Sequence, residues 1–237
     1  MSHTLIKNLS QAETTKAMLP PSHLAQRELT ASDLESALAL HLRCTQNWSE
    51  TLVRKESLAS LQSLLLRSHM SGLFDQDELV AYSVLQHDLQ EHQELPPSIA
   101  VDPQRPQLML AGVSVAPEWQ GLGLQRRLIM QRMSQAGPQC LLFSTAAPAN
   151  WHSWNNLLAC GFHVRDIGEH YGGHLRYLMV LEPLPEHALY PDFSKEIHAL
   201  DIKRQQELLS QGWRGAQPGH SIEYMRYVPT ASQRIRI

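Results

Sequence analysis

Residues 108–133, LMLAGVSVAPEWQGLGLQRRLIMQRM, constrain most strongly how this chain can fold. Val113 and Val115 alternate with smaller residues, which is typical of a strand that packs on a core. Pro117 lacks a main-chain N–H and ends that strand. A turn with two glycines follows, and apolar residues then recur at helical spacing at Leu124, Leu128, Ile129 and Met133. The stretch therefore predicts a buried strand, a tight turn and an amphipathic helix.

The turn between this strand and helix, Gln120-Gly121-Leu122-Gly123, is suited to bind an anion. Its two glycines allow the main chain to curl, so that several N–H groups point at one place. The first turn of the helix adds unpaired N–H donors and the positive end of the helix dipole. We therefore expect a phosphate site here, and an ordinary strand–turn–helix corner is the alternative.

Two common phosphate-binding motifs do not fit this turn. A nucleotide-hydrolase loop needs Gly-Lys-Ser/Thr, but Gly123 is followed by Leu124 and Gln125. A dinucleotide-binding fingerprint needs a third glycine where Arg126 stands. The pattern V-x-V-x-P-x-x-Q-G-x-G instead resembles the acetyl-CoA pyrophosphate loop of the GNAT superfamily of N-acyltransferases. Gln125 departs from that pattern, because the family usually has Gly or Ala at this position.

A second segment, TAAPANWHSWNNLLACGF at residues 145–162, carries a further part of the resemblance. Asn150 suits a helix N-cap, and Gly161 suits a helix end before a strand that begins at Phe162. The segment is similar to the second GNAT motif, in which Asn150, Ser153, Gly161 and Phe162 fall on their positions. An ordinary strand–cap–helix unit is the alternative for this segment taken alone.

The resemblance implies a fold and a ligand. The implied fold is α/β, a mixed central β-sheet flanked by helices. A GNAT domain would span residues 26–184, between an N-terminal arm at 1–25 and a C-terminal helix–strand extension at 185–237. Acetyl-CoA would be the cosubstrate, and its pantetheine arm would lie between two splayed parallel strands. The cofactor-binding residues so implied are Val113, Ser114, Val115, Gln120, Gly121, Leu122, Gly123, Leu124, Gln125, Asn150 and Ser153.

The implied reaction is N-acetyl transfer by direct attack of a primary amine in a ternary complex. An N–H near Val115 would hold the oxyanion. Many family members place a tyrosine four residues before the glycine of the second motif as general acid, but this chain has Leu157 there. Tyr171, at a glycine-rich turn, is a candidate acid or simply a hairpin tip. Glu118 lies near the turn, but no carboxylate identifies itself as the base. A non-catalytic acyl-CoA-binding or sensor protein of the same fold is the alternative function.

Composition narrows the partners. The chain has 237 residues, of which 43% are hydrophobic, enough for one sizeable core. A formal net charge of −3 argues against a general nucleic-acid or acidic-membrane binder. No apolar run approaches the roughly 18 residues that span a bilayer, and residues 1–22 lack the apolar core of a signal peptide. We expect a cytoplasmic protein that acts on an amine of a small molecule or a protein, with a homodimer left open.

Three cysteines, Cys44, Cys140 and Cys160, show no metal-ligand spacing, so we expect reduced thiols and no metal. The remaining pattern predicts a strand at 27–29, two helices and a hairpin before the central strand. The expected apolar stripes are Leu34, Leu38 and Leu42 in the first helix and Leu58, Leu61 and Leu65 in the second. Trp48, between these helices, falls where the family often walls its acceptor site, and a packing role is the alternative.

The C-terminal part repeats earlier phrases. Leu-Leu-Ser-Gln-Gly-Trp at 208–213 echoes Leu-Leu-Ala-Cys-Gly-Phe at 157–162, and Arg-Tyr-Val at 226–228 echoes Arg-Tyr-Leu at 176–178. We therefore expect one more helix and strand, which would complete the sheet, cover the acceptor cleft or form a dimer contact.

Overall fold

The computed structural model describes residues 21–89, 93, 95–96, 98–99, 102, 104–182 and 194–230. The strands are β1 Ala25–Glu28, β2 Ser68–Asp75, β3 Glu78–Gln86, β4 Gln107–Val115, β5 Leu141–Ala146, β6 Phe162–His170, β7 His174–Leu181, β8 Lys195–His198, β9 Trp213–Pro218 and β10 Tyr224–Pro229. The helices are α1 Leu34–Thr45, α2 Leu58–Arg67, α3 Leu124–Ala136, α4 Trp151–Ala159 and α5 Ile202–Ser210. The ten strands form one sheet in the order β1-β2-β3-β4-β5-β7-β6-β9-β10-β8. The predicted α/β architecture, a mixed sheet flanked by helices, is confirmed.

The first helix buries a different face from the one that the leucine spacing predicted. Leu34 is buried, but Leu42 is 48% exposed. Eight residues advance a helix by about 800°, which rotates Leu42 about 80° away from Leu34. Ala37 and His41 take the inward positions instead. The hairpin of β2 and β3 forms as expected, with Gln76 in the left-handed region at its turn (φ 53°).

The central strand–turn–helix forms where the sequence predicted it. β4 ends at Val115, and Pro117 begins a short 3-10 turn. Gly121 and Gly123 both have φ of 76°, a conformation that side chains with a Cβ avoid. Gly123 is the N-cap of α3, and Leu124, Leu128 and Ile129 on that helix are buried.

The parallel strands β4 and β5 pair over only part of their length. Their ladder covers Gln107↔Leu141 to Met109↔Phe143 and then stops. β4 continues beside β3 as far as Val115, whereas β5 continues beside β7 as far as Ala146. The two strands therefore part after Met109 and Phe143 and leave a gap between them.

The described part of the C-terminal extension contains one helix, as predicted, but three strands rather than one. β8, α5, β9 and β10 repeat the arrangement of β5, α4, β6 and β7. In each unit the last strand pairs antiparallel with both of the others. The units meet through β6 and β9, which pair antiparallel at Val164 and Gly215. The extension therefore continues the sheet.

Of the two repeated sequence phrases, only the one that ends each helix falls at equivalent positions in the two structural units. Gly161 and Gly212 occupy the same turn after their helices, with φ of 88° and 84°. The second hairpin is shorter, however. His163 pairs with Val180, whereas its counterpart in the second unit, Arg214, pairs with Val228, which follows it more closely along the chain. The two Arg-Tyr phrases are therefore not at equivalent positions.

Residues 1–20, most of the predicted N-terminal arm, lie outside the described residues, as do residues 185–193 and 231–237 of the predicted extension. Arg127 Nη1 donates to Pro21 O at 3.0 Å, which ties the first described residues to α3. Within the described residues, no helix is long and apolar enough to cross a membrane.

Candidate functional site

A cavity of about 770 Å³ lies at the parted ends of β4 and β5. Its volume falls in the range of small-molecule sites, roughly 300–1,000 Å³. It is lined by Tyr171 and by ten residues that the sequence assigned to cofactor binding, namely Val113, Ser114, Val115, Gln120, Gly121, Gly123, Leu124, Gln125, Asn150 and Ser153. Leu122, the remaining assigned residue, packs instead beside the apolar cluster that contains Leu124 and Leu128.

The turn after β4 offers a set of uncommitted main-chain donors. Gln120 N–H donates to Pro117 O, and the first amide of α3 with a helical partner is Arg127 N–H, which donates to Gly123 O. The N–H groups of residues 121–126 make no hydrogen bond within the part of the chain that the structure describes. Six donors at one helix N-terminus favour an anion.

The main chain of β4 faces the gap at Val113 and Val115. Ala116, just after β4, donates its N–H to Val80 O on β3, so Ala116 and Val80 are a hydrogen-bonded pair of the antiparallel ladder. Such pairs alternate along an antiparallel ladder, so Val113 and Val115 turn their N–H and C=O groups away from β3. Beyond Met109, β5 makes no ladder with β4, so an extended ligand has strand-like partners there.

Two side chains donate hydrogen bonds to the carbonyl oxygen of Val115. Gln120 Nε2 donates to it at 3.0 Å, and Cys44 Sγ donates at 3.2 Å. Gln120 therefore holds the start of the turn against the end of β4. The N–H of Val115 has no partner among the described residues, whereas its carbonyl already accepts two hydrogen bonds.

A β-bulge coincides with the place where β4 leaves β5. Val84 pairs with Gly112 but Leu85 pairs with Leu110, so Ala111 is an extra residue in β4. Arg132 of α3 donates from Nη1 to Val84 O at 3.1 Å and to Gly112 O at 3.3 Å. The buried guanidinium therefore satisfies carbonyls at the bulge, and burial lowers its pKa to about 9, so it stays charged at neutral pH.

The start of α4 forms the opposite wall of the gap. Asn150 caps the helix through Oδ1, which accepts from Ser153 N–H at 3.3 Å. Asn156 connects α4 to the turn, because it donates to Gln125 Oε1 at 2.8 Å and accepts from Arg126 Nε at 2.8 Å. Leu157, which stands where the resemblance would place a tyrosine, is buried at the cavity wall.

Tyr171 reaches the gap from the tip of the β6–β7 hairpin. Its φ of 52° is unusual for a residue with a side chain, and two left-handed glycines follow it. The hydroxyl lies 3.0 Å from Thr145 Oγ1 on β5 and 4.0 Å from Met109 Sδ on β4. Burial raises the pKa of the phenol, which therefore stays protonated at neutral pH.

His41 connects the helical side of the cavity to the sheet. Its Nε2 accepts from Glu56 N–H at 3.1 Å, and its Nδ1 lies 3.2 Å from Tyr82 Oη and 3.4 Å from Ser114 Oγ. The neutral ring then carries its proton on Nδ1, and burial lowers its pKa. Both nitrogens are thus engaged, which suits a positioning role better than proton transfer.

Glu56 is a carboxylate that sequence reasoning missed. It lies at the end of the α1–α2 loop, lines the cavity and has a side chain only 12% exposed. Ser60 Oγ donates to it, and Arg54 Nε lies 3.5 Å from Oε1. Glu118, the residue near the turn, is half-exposed and pairs with Arg43 at 3.0 Å outside the cavity.

The charged groups that line the cavity are mostly cationic. Among the described residues they are four arginines, Arg54, Arg126, Arg132 and Arg176, and one glutamate, Glu56. The chain as a whole is slightly acidic, at −3, so positive charge is concentrated here. No local pattern in the sequence marks these five residues as a group, because a loop, a helix and a strand bring them together. Trp48, for which the sequence left open an acceptor-wall or a packing role, also lines the cavity.

Among the described residues, no group of three or more His, Cys, Asp or Glu side chains could hold a metal ion. The described part of the extension contributes no residue to the cavity wall. Of the roles left open for the extension, the described residues support completion of the sheet.

Comparison with solved structures finds acetyltransferases. A probable acetyltransferase from Staphylococcus epidermidis has a TM-score of 0.50 and 19% identity, over 66% of this chain and 97% of that one. The ribosomal-protein-S18-alanine N-acetyltransferase of Escherichia coli has a TM-score of 0.50 and 16% identity, over 70% and 99%. The ribosomal-protein-S5-alanine acetyltransferase of Vibrio fischeri has a TM-score of 0.50 and 16% identity, over 70% and 98%.

No protein-family model matches the sequence, and the comparison with curated proteins found no match. At identities of only 16% to 19%, the likeness to solved structures establishes the fold. The chain therefore has the GNAT fold, a mixed central sheet flanked by helices, which a second helix-and-strand unit extends.

Proposed function

We propose that this protein is an N-acyltransferase that moves an acyl group, acetyl in the simplest case, from acyl-CoA to an amine in a ternary complex. The free N–H groups of residues 121–126, beside a gap between parted parallel strands, carry this proposal. The diphosphate of CoA would bind to those donors, with Arg126 at the rim. The pantetheine arm would pair with the main chain of Val113 and with Val115 N–H.

The acyl carbonyl would lie near Val115 N–H, which is aimed where negative charge develops on the oxygen. The amine nitrogen attacks the carbonyl carbon, and the C–S bond breaks. Glu56 accepts one proton from the bound ammonium before this attack, Tyr171 gives its proton to the departing CoA sulfur, and the second nitrogen proton passes to solvent. Solvent then reprotonates Tyr171 and takes the proton from Glu56, so that the enzyme returns to its starting state.

The position of Tyr171 supports catalysis over storage. Its hydroxyl reaches the apex of the gap from the hairpin tip, beside Thr145 and Met109. It can therefore supply the acid that Leu157 cannot. Arg54, Arg176 and Glu56 line the same cavity as this phenol, so the acid and the candidate base share one cavity.

Release of thiol from acetyl-CoA, with and without a panel of primary amines, tests the proposal against the acyl-CoA sensor alternative. A thiol-reactive dye reports the free CoA. We expect amine-dependent release with at least one class of amine. CoA binding by calorimetry, together with no release across the whole panel, would contradict the enzymatic proposal and favour the sensor.

A further inference from the structure

Two arginines are buried within the described residues, and both line the cavity. Arg132 is 3% exposed and Arg176 is 4% exposed. Neither makes a salt bridge with a described carboxylate. Buried charges are normally paired, because removing them from water is costly. Arg132 supports the bulge in β4, whereas Arg176 donates to carbonyls of the α1–α2 loop, which also brings Trp48 and Glu56 to the cavity wall.

The hydrogen bonds of Arg176 leave its Nε–H and one Nη2 hydrogen without a partner among the described residues. Nη1 donates to Thr51 O at 2.6 Å and to Leu175 O at 2.9 Å, which uses both of its hydrogens. Nη2 reaches Glu50 O at 3.4 Å. The Nε–H has no partner among the described residues. Nε is also absent from the set of solvent-inaccessible side-chain nitrogens without a hydrogen bond, so a ligand can reach it. The Nε–Nη2 edge is one of the two edges on which arginine binds a carboxylate with two parallel hydrogen bonds.

The hydrogen-bond partners of Arg176 are neutral carbonyls, and no described carboxylate pairs with its charge. Another arginine on an adjacent hairpin shows the usual arrangement. Arg226, in the second Arg-Tyr phrase, donates from Nε to Glu196 Oε2 at 3.1 Å. Arg176 holds the α1–α2 loop against β7, but that task needs hydrogen bonds and not a full positive charge.

We propose that the acceptor of this enzyme is an amine that also carries a carboxylate, an amino carboxylic acid, and that the Nε–Nη2 edge of Arg176 binds that carboxylate. The inference rests on the proposed N-acyltransferase function and names its acceptor class. Glu56, of opposite charge, lies on the same side of the cavity and takes the ammonium end. A substrate with both charges would therefore be oriented with its nitrogen towards the acyl carbon.

Thiol release with matched amines tests the proposal. Each amino acid of a panel is compared with its primary amide, in wild type and in Arg176→Gln. We expect the ratio of kcat/KM for the acid to kcat/KM for the amide to be roughly ten- to a hundredfold higher in wild type than in the variant. The acid and the amide differ in amine pKa, but that difference is the same in both proteins and cancels when the two ratios are compared.

Two controls separate recognition from folding. Arg226→Gln removes an arginine outside the cavity and should keep the wild-type ratio. Arg176→Lys keeps the positive charge but loses the two parallel donors of the guanidinium. It should therefore retain part of the preference for the acid over the amide. A looser α1–α2 loop would slow acids and amides alike, so an unchanged ratio in Arg176→Gln, with thiol still released, would overturn the carboxylate site and leave the proposed function standing.

Product binding tests the site without turnover. Calorimetry with N-acetylated amino acids and their amides needs no reaction. A preference of wild type for the acid, lost in Arg176→Gln, supports the site even if no amine releases thiol, in which case only the proposed activity fails. Equal binding of acid and amide by wild type would overturn the inference.

Discussion

The hydroxyl of Tyr171 lies 3.0 Å from Thr145 Oγ1, across the point where β5 parts from β4. A residue at a hairpin tip thus places its side chain in the gap between two central strands. Its backbone adopts a left-handed conformation to do so (φ 52°). Strained conformations of this kind persist where the surrounding structure enforces them, and they are common at functional sites.

Replacing Tyr171 by Phe removes the proposed acid and little else. We expect kcat to fall about 10²-fold, because general acid catalysis typically contributes 10²- to 10⁴-fold. CoA affinity should change little. Stopped-assay rates and calorimetry measure the two quantities, with Tyr224→Phe in the extension as the matched control. An unaltered kcat in Tyr171→Phe would return this residue to a structural role.

Two glutamates compete for the role of base, and they can be compared directly. Glu56→Gln keeps the shape and the hydrogen bond from Ser60 but cannot take a proton, so we expect kcat to fall about 10²-fold. Glu118→Gln loses only an exposed pair with Arg43 and should remain near wild type. The reverse order of effects in amine-dependent thiol release would exclude Glu56 as base.

Gln205 connects the two structural units. Its Oε1 accepts from Tyr177 Oη at 2.8 Å and from Tyr227 Oη at 2.7 Å, and Gln205 is fully buried. Gln205→Leu leaves a buried hydroxyl without its partner, which should lower the free energy of unfolding by about 1–3 kcal/mol. Gln206→Leu changes an exposed neighbour and is the control. Urea denaturation with equal losses in both variants would contradict a special role for Gln205.

Acid should destabilise the protein partly through His163. Burial lowers its pKa from 6.5 to about 4, so between these values the unfolded chain binds the proton more readily than the folded one. Stability from this group is therefore complete above about pH 6.5 and is lost as the pH falls towards 4, by up to about 3 kcal/mol. His163→Gln should flatten the decline in unfolding free energy over that range, whereas the same change at exposed His87 should not. Parallel pH curves for all three proteins would disprove this.

The sequence predicted the centre of the fold because the signals there are local. Val113, Pro117, Gly121 and Gly123 act within a few residues of one another, and each restricts the backbone directly. The gap between β4 and β5 was anticipated only through the family resemblance. Its physical cause, an extra residue at Ala111, leaves no signature that the letters alone reveal.

The acceptor side was not predictable from the sequence, because it is assembled by tertiary contacts. Glu56 comes from the approach to α2, whereas Arg176 comes from β7, far away along the chain. The repeated phrases near the C-terminus did indicate a second unit. The alignment of the two Arg-Tyr phrases was wrong, however, because the second hairpin is shorter and Tyr227 is not at the position equivalent to Tyr177.

The central claim is that the free main-chain donors of residues 121–126 hold the diphosphate of CoA. A Cβ at position 121 would meet no protein atom within 4 Å, so a larger side chain there would enter ligand space rather than disturb packing. Gly212 has a similar left-handed backbone, with φ of 84°, and its Cβ would meet only Thr230 Oγ1 at 3.7 Å. Gly121→Val and Gly212→Val therefore impose similar backbone strain.

Calorimetric titration of CoA into wild type, Gly121→Val and Gly212→Val separates strain from loss of the phosphate site. Losing two charge-assisted hydrogen bonds of about 1.5–3 kcal/mol each should weaken CoA binding by at least about a hundredfold in Gly121→Val. Gly212→Val should bind CoA as wild type does. Wild-type CoA affinity in a folded Gly121→Val would contradict the account.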